Sequence, residues 1–564
     1  MKTTETTASF NEPAKMQSIP IIQDNRKVLL EQDTRSIVEA FDEFAAPVPC
    51  SEIVTLIKPF AVMSRNAYST PITLPIGLAY LAAVLEAAKY PVKIIDGIGE
   101  DIHHVYPSAC GRFNLQGLTV EGIVGRIPQN SKVIGISMMF SQEWTEHRTL
   151  INAIRERFPK AKIVAGGEHA TAMPEYVLRD CPAIDHVISG EGEMAFLQLV
   201  HAIYHEKDAE GIGGASYLDL DGVFRTGGLS RRLMHVDELP QPAWHLCPVQ
   251  NYFIDNWTMG IAHGRNMPIL ASRGCPYQCT FCSNPTMWTT RYTLRSVDEV
   301  VSEIEWLMKK YQANSIDFFD LTAIVKKNWI MEFCARLKAR GISVVWQLPS
   351  GTRSEALDTE ALQSIYDANC RYLVYAPESG SDRSLDAIKK KLKLPRTIES
   401  IKTAVGIGQT VKVNFIIGFP HETFADAWKT IALMFRLAWI GVHDCNLAIF
   451  TPYPGSELYR QLVDQGVIAA IDDEYFANLI LQFDFTVARS YTPHMSGSAL
   501  VALRAVGQFG FYAISYAIRP WRATNLFRGI FRPGTTANNL FEQRIFDYFA
   551  RRKLLRKIFS LNDT

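Results

Sequence analysis

Cysteine is scarce in this chain, ten in 564 residues. A secreted scaffold built on disulfides needs far more, so the cysteines serve as buried apolar side chains or as ligands. An excess of charge of one sign is also lacking. Lys and Arg total 58, as do Asp and Glu, which leaves no overall field to draw nucleic acid. Long hydrophobic runs are missing too. The nearest approach to a span of ~18 apolar residues is 505–518, interrupted by Gln508. Residues 1–11 have no apolar core between a basic start and a cleavage site, which argues against a secretory signal and for the cytoplasm. Internal repeats and low-complexity tracts are absent. At 47% hydrophobic and 21% charged, with 35 Gly and 28 Pro, the chain is neither collagen-like, disordered nor a coiled coil. It is too long for one core, and about three domains are expected.

Residues 1–50 read as a polar tail, flexible or loosely docked. From Ile53, short apolar runs at 53–57, 92–95, 133–137, 162–165 and 186–189 alternate with helical patterns at 78–89, 147–158 and 193–204. Strand, helix, strand at this spacing predicts an α/β domain with a doubly wound, Rossmann-like parallel sheet over 51–240. Ligands of such sheets sit at the carboxyl ends of the strands, here marked by Ser137, Gly166-Gly167 and Gly190-Glu191-Gly192-Glu193. Around 240–265 the periodicity fails among prolines and aromatics, as in a linker. A second series follows, with strands at 269–272, 315–319, 344–347, 372–376, 411–417 and 444–450. Six strand–helix units over 241–480 predict a partial or full parallel barrel. Residues 481–564 look helical.

Seven cysteines are scattered singly, but Cys275, Cys279 and Cys282 fall within eight residues, at the carboxyl end of the first strand of the second series. Three converging thiolates suit a soft metal or an iron–sulfur cluster. Structural zinc wants a fourth ligand at a familiar offset, and neither His263 nor Cys334 supplies one. An electron-transfer cluster is the other alternative. Three ligands without a fourth point to a cluster with one iron open to substrate.

The loop Cys275-Pro276-Tyr277-Gln278-Cys279-Thr280-Phe281-Cys282 resembles that of the radical S-adenosylmethionine (SAM) superfamily. The resemblance implies a 4Fe–4S cluster on the three cysteines, with the open iron chelated by the amino and carboxylate groups of SAM. It also implies roles for stretches in serial order after the loop. Asp320 would meet the amino end of SAM. Glu378 and Ser379 would reach its ribose or methionine moiety, and Ile416 would pack on adenine.

Residues 51–195 resemble the cobalamin-binding domain that precedes the barrel in one branch of the superfamily. Leu74-Pro75-Ile76-Gly77, Gly166-Gly167-Glu168-His169 and Gly190-Glu191-Gly192-Glu193 carry that likeness. By it Ser137, Gly166 and Gly167 line the pocket for the nucleotide tail of cobalamin, and Glu191 lies with them. Asp101-Ile102-His103 begins a cobalt-ligating motif but reaches Tyr106 where Gly is required, so His103 and His104 read as solvated loop residues. His169 is a second candidate contact. The methylthiotransferases share the cysteine loop, but need three further N-terminal cysteines that Cys50, Cys110 and Cys181 are not placed to provide.

From Arg504 to Lys557 there are eleven Lys/Arg against Glu542 and Asp547, interleaved with aromatics. This composition suits a helix at an anionic lipid surface, or a lid on the barrel with its arginines in solvent. The expectation is a cobalamin-dependent radical SAM enzyme that methylates an unactivated carbon of a large apolar substrate (lipid, terpenoid or tetrapyrrole). Its electrons would come from an external donor such as flavodoxin or ferredoxin, with no nucleic-acid partner. Oxidative cyclisation or ring rearrangement with the same cofactors is the alternative, and a non-catalytic cluster-bearing or lipid-binding protein is the third reading.

Overall fold

Adjacent aliphatic residues that point to opposite sides of a strand explain the first sheet. The computed structural model describes residues 36–65, 72–353, 356–531, 537, 539 and 541–546. Strands β1 (Ile53–Lys58), β2 (Val92–Asp96), β3 (Ser131–Ser137), β4 (Lys162–Gly166) and β5 (His186–Ile188) lie in the order β2-β1-β3-β4-β5 and are all parallel. Two antiparallel strands, β6 (Ala215–Leu218) and β7 (Phe224–Thr226), extend the edge beyond β5. Ile57, Ile134 and Ile163 pack on the helix Trp144–Arg157, while their neighbours Leu56, Val133 and Val164 pack on Ile76–Ala87 and Gly192–Tyr204. The sheet is therefore doubly wound, and its strand order reverses between β1 and β3, the switch point where ligands bind.

The second sheet runs consecutively through β8 (Asn266–Ile269), β9 (Ser315–Phe318), β10 (Val345–Thr352), β11 (Cys370–Glu378), β12 (Thr410–Ile417) and β13 (Asp444–Ile449), every pair parallel. Among the described residues β8 and β13 do not pair, so this is a partial (β/α)6 barrel. Its first strand starts three residues before the expected 269. Pro268 offers no N–H to a ladder, and a strand containing it is tolerated because β8 is an edge. The chain resumes as a two-residue strand, Ser272–Arg273, paired with Thr293–Leu294.

One expectation is corrected, and another is narrowed. The supposed linker at 240–265 is ordered and buried, with Trp244, Tyr252 and Trp257 in or beside the core. Its end plugs the barrel floor: the carboxylate of Asp317 accepts from the Thr258 hydroxyl, the Gly260 amide, Asn266 and Gln347, and Gln347 bonds both the amide and the carbonyl of Ile261. The tail is also docked over its described part. The helix Ile37–Glu43 is capped by Ser36, and both Ser36 and the Ile37 amide donate to Glu238.

The helix Gly497–Ile518 is long and apolar enough to cross a membrane by length and composition, beyond what the run at 505–518 suggested. One side of it seats on β13 and the helix Phe424–Ile440, burying Leu500, Leu503, Phe511 and Tyr512. The tail's arginines differ most from expectation. Arg504 and Arg522 are 2% and 6% exposed and donate to the carbonyls of Gln482, Asp484, Gly441 and Val442. Arg519 reaches the free carbonyls that end the helix Phe424–Ile440. Helix ends buried in this way need such donors. The run from 551 to 557 lies outside the described residues.

Candidate functional site

The cysteine loop leaves the short strand Ser272–Arg273 through Gly274, whose φ of +82° and contact with the Arg291 carbonyl exclude any side chain. Cys275 is buried, with its sulfur 3.6 Å from the Thr322 hydroxyl; Cys279 and Cys282 are half-buried, and none of the three is in a disulfide. The Cys282 amide donates to the Cys279 carbonyl (3.1 Å), and the Thr280 amide to the Ile388 carbonyl (3.1 Å). Burial pushes the Cys282 thiol up to about 12 and also raises Cys279, the latter opposed by Lys390 and Arg353 nearby. Such thiols deprotonate when a soft cation binds. Among the described residues no group of three or more His, Cys, Asp or Glu is placed to hold a single metal ion.

Above the floor, the barrel lumen is lined by alternate residues. In β12, Asn414 and Ile416 are half-buried while Val413, Phe415 and Ile417 are buried against the outer helices. Asn414 and Ile416 stand beside Asn446 and Ala448 of β13. The Asn414 side-chain oxygen, Oδ1, is buried without a partner. Glu378 ends β11 with φ +68° and pairs with Lys390 at 2.8 Å.

At the switch point of the first sheet, Ser137 and Gly166 are direct neighbours on β3 and β4. A Cβ on Gly166 would meet nothing nearer than the Ile188 carbonyl at 3.9 Å. Met139 and Phe140, just past β3, are 45% and 53% exposed, an apolar surface of the kind a large ring covers. This cradle touches the end of the cysteine loop, where Ser283 donates to Glu168.

Residues 269–434 match the Radical SAM superfamily, and residues 66–200 match the B12 binding domain. An uncharacterized methyltransferase of Pyrococcus horikoshii is 30% identical over 399 residues, which is 71% of this chain and 80% of that protein. The chain is a cobalamin-binding radical SAM enzyme. A cytidylyl-2-hydroxyethylphosphonate methyltransferase of Streptomyces wedmorensis is also 30% identical, over 74% of the enzyme and 82% of its own length. The anaerobic magnesium-protoporphyrin IX monomethyl ester cyclase of Cereibacter sphaeroides is 28% identical, over 66% and 59%. Among solved structures, the radical SAM methyltransferase TsrM of Kitasatospora setae, with cobalamin and a 4Fe–4S cluster bound, shares the fold at TM-score 0.62 and 17% identity. That match covers 91% of the enzyme and 100% of TsrM.

The enzyme's cofactors are therefore a 4Fe–4S cluster, SAM and cobalamin. The residues present fit them: three free thiols, a lumen with an orphaned polar atom, and a cradle open at Gly166. Several residues assigned to cofactors from the sequence have partners within the chain. Asp320 accepts from the Ala271 amide (3.1 Å) and the Ser272 hydroxyl, so it holds the base of the cysteine loop; burial lifts it to about 6. Ser379, fully buried, bonds Thr430 (3.2 Å) and the Ser381 amide. Glu191 lies between Arg232 (3.6 Å) and Arg273 (3.5 Å) and accepts from the Leu233 amide (2.6 Å). Gly167 has φ +107°, and a Cβ there would stand 2.6 Å from the Met138 carbonyl, so the turn itself requires it. His169 is 1% exposed and bonds Ser141 (2.9 Å). His103 is half-exposed and pairs with Asp255 at 2.8 Å, as a solvated loop residue would. Lys390, Arg353 and Glu168 were not singled out by spacing, because only tertiary folding brings them to the loop.

Gly166→Phe is expected to lose hydroxocobalamin on gel filtration, since its ring would fill the cradle, whereas His103→Ala is expected to retain it. Retention in Gly166→Phe with loss in His103→Ala would reverse the assignment.

Proposed function

We propose that the enzyme transfers a methyl group to an unactivated carbon, with Cys275, Cys279 and Cys282 holding the cluster. SAM would lie along Glu378, Lys390 and Ile416, and cobalamin on Ser137, Gly166, Met139 and Phe140. The observation that carries this reading is the contact of Glu168, two residues beyond Gly166, with Ser283, next to Cys282. A radical formed over one site needs its partner within reach before solvent intervenes. When bound, the cofactors supply one-electron cleavage of SAM and the transferable methyl group. The chain's part is to orient them and exclude water. Product mass tests it: gain of a methyl group supports the reading, and loss of hydrogens alone favours ring closure. Ring closure is the second reading because a cyclase of known name is among the relatives.

The helices Phe424–Ile440, Gly497–Ile518 and Pro520–Phe531 support a reading of the substrate class. Their outer sides expose Phe424, Trp428, Trp439, Val506, Phe509, Trp521, Phe527 and Phe531. Lys429, Arg436 and Arg528 are exposed beside them, the one carboxylate in Phe424–Ile440 (Asp426) is 3% exposed, and none occurs in 497–531. Aromatics with cations and no exposed acid suit an anionic lipid surface, and a substrate taken from it would be large and apolar. Each cation near the headgroups adds about 1 kcal/mol. The full chain is expected to float with vesicles containing anionic lipid at low salt, and Trp521→Ser/Phe527→Ser to sink. If both float alike, these aromatics are not the contact. Truncation near Ser498 is no test, since it strips the packing from β13.

A further inference from the structure

One edge of the cysteine loop lies at the surface: Pro276 and Gln278 are exposed and Tyr277 is half-buried. Beside it runs a segment of concentrated charge. Lys389, Lys390, Lys391, Lys393 and Arg396 fall within eight residues, with no carboxylate from Ile388 to Ile398. Two contacts fasten segment to loop. The Thr280 amide donates to the Ile388 carbonyl. Arg353 donates to the Lys391 carbonyl (2.7 Å) while its guanidinium lies 3.6 Å from the centre of the Tyr277 ring.

The cations divide into two sets. Lys390 turns inward to Glu378, and Lys389 pairs with Glu457 at 2.7 Å. Lys391 and Lys393 are exposed, and Lys393 is the N-cap of the helix Leu394–Ile407, where its side chain caps nothing. A cation at the positive end of a helix dipole is locally unfavourable. The charge of Lys393 therefore does nothing for this helix that a neutral residue would not do better.

We propose that this lysine face docks the acidic one-electron carrier, of the flavodoxin or ferredoxin class, that reduces the cluster. The proposal rests on the reading of Cys275, Cys279 and Cys282 as cluster ligands. Tunnelling weakens steeply with distance, so a protein donor must seat against the exposed edge of the loop, and the lysines flank that edge. One electron leaves the reduced carrier and enters the oxidised cluster; no bond forms or breaks, and the carrier ends one electron more oxidised. Positive charge beside the entry point raises the encounter rate with an acidic partner and falls away with salt.

The test compares the reconstituted full chain with its Lys391→Glu/Lys393→Glu variant. The variant keeps the Lys391 carbonyl that Arg353 uses, and glutamate suits the N-terminus of the helix, so folding is preserved. Binding of oxidised flavodoxin is measured by calorimetry over a salt series. SAM cleavage is measured with reduced flavodoxin and, separately, with titanium(III) citrate. Binding is expected to weaken about tenfold or more at low salt and to converge near ~0.5 M salt. Flavodoxin-driven cleavage should fall in parallel, titanium-driven cleavage should stay the same, and Lys391→Arg/Lys393→Arg should match the parent. Equal binding and equal flavodoxin-driven rates would overturn the docking site. So would normal flavodoxin binding with lost affinity for a single-stranded RNA, which would assign the face to nucleic acid. If titanium(III) drives no cleavage even in the parent, the reading of the cysteine loop falls, and the docking site with it.

Discussion

Cys279→Ala is expected to abolish SAM cleavage and to remove most of the iron from the reconstituted enzyme, and Cys275→Ala and Cys282→Ala to do the same. Each thiolate is one of three protein ligands in the proposal, and the described residues bring no fourth Cys or His to replace it. Cys334→Ala is the control. Cys334 is 4% exposed inside the helix Lys327–Ala339, where burial pushes its thiol up to about 11. Its loss removes one buried atom, a cost of about 1 kcal/mol in packing, with no change in visible absorbance. Iron content, absorbance and 5′-deoxyadenosine release read all four variants. Full cleavage in Cys279→Ala would sink the assignment of the loop, and with it the functional reading.

The fold was legible where the physics is local. Runs such as Val133–Ile134 and Ile163–Val164 are β-branched and bury both faces, which only a strand covered by helices on each side allows. The glycines at strand ends also showed in the sequence, because a backbone turn like that at Gly167 admits no other residue. What stayed hidden depends on partners distant in sequence. The segment at 240–265 looks like a linker because its role is to satisfy Asp317 and Gln347, 57 to 86 residues onward.

The same limit governed the site. Gly190-Glu191-Gly192-Glu193 at a strand end reads equally as a ligand cradle or as a charged turn. The arginines that pair with Glu191 lie at 232 and 273, distant in sequence. Asp320 was expected to meet the amino end of SAM, and its carboxylate accepts from the Ala271 amide and the Ser272 hydroxyl at the base of the cysteine loop. In the tail, basic and aromatic residues were counted together, yet folding separates them. Arg504, Arg519 and Arg522 turn in to helix-end carbonyls, and Trp521 and Phe527 turn out. Composition cannot reveal that division, because it depends on which helix ends lie within reach.

Arg273 joins the two halves through buried ion pairs, and its removal carries the second large effect. It lies two residues before Cys275, 2.6 Å from Glu193 and 3.5 Å from Glu191, with its guanidinium 5.3 Å from the Tyr80 ring. Arg232 completes a network of two cations and two carboxylates, all with side chains less than a tenth exposed. Burial raises Glu191, whereas for Glu193 the adjacent Arg273 overcomes burial and lowers it. Breaking such a network from one side leaves a carboxylate buried without its partner, which costs about 3–5 kcal/mol. Arg273→Met is therefore expected to lower the thermal midpoint by several degrees. It should also raise hydrogen exchange in both the cysteine loop and the turn at 190–193. Arg273→Met/Glu193→Leu is expected to recover part of the loss, because it removes the stranded charge together with its partner. Glu193 is held below its ordinary value, so its share of the stability is present above the unfolded carboxylate range. That share disappears as pH falls through the lowered value, and the gap between parent and Arg273→Met should narrow in acid. If Arg273→Met loses less than about 1 kcal/mol, the network is screened like a surface pair, and the junction is held by its other contacts.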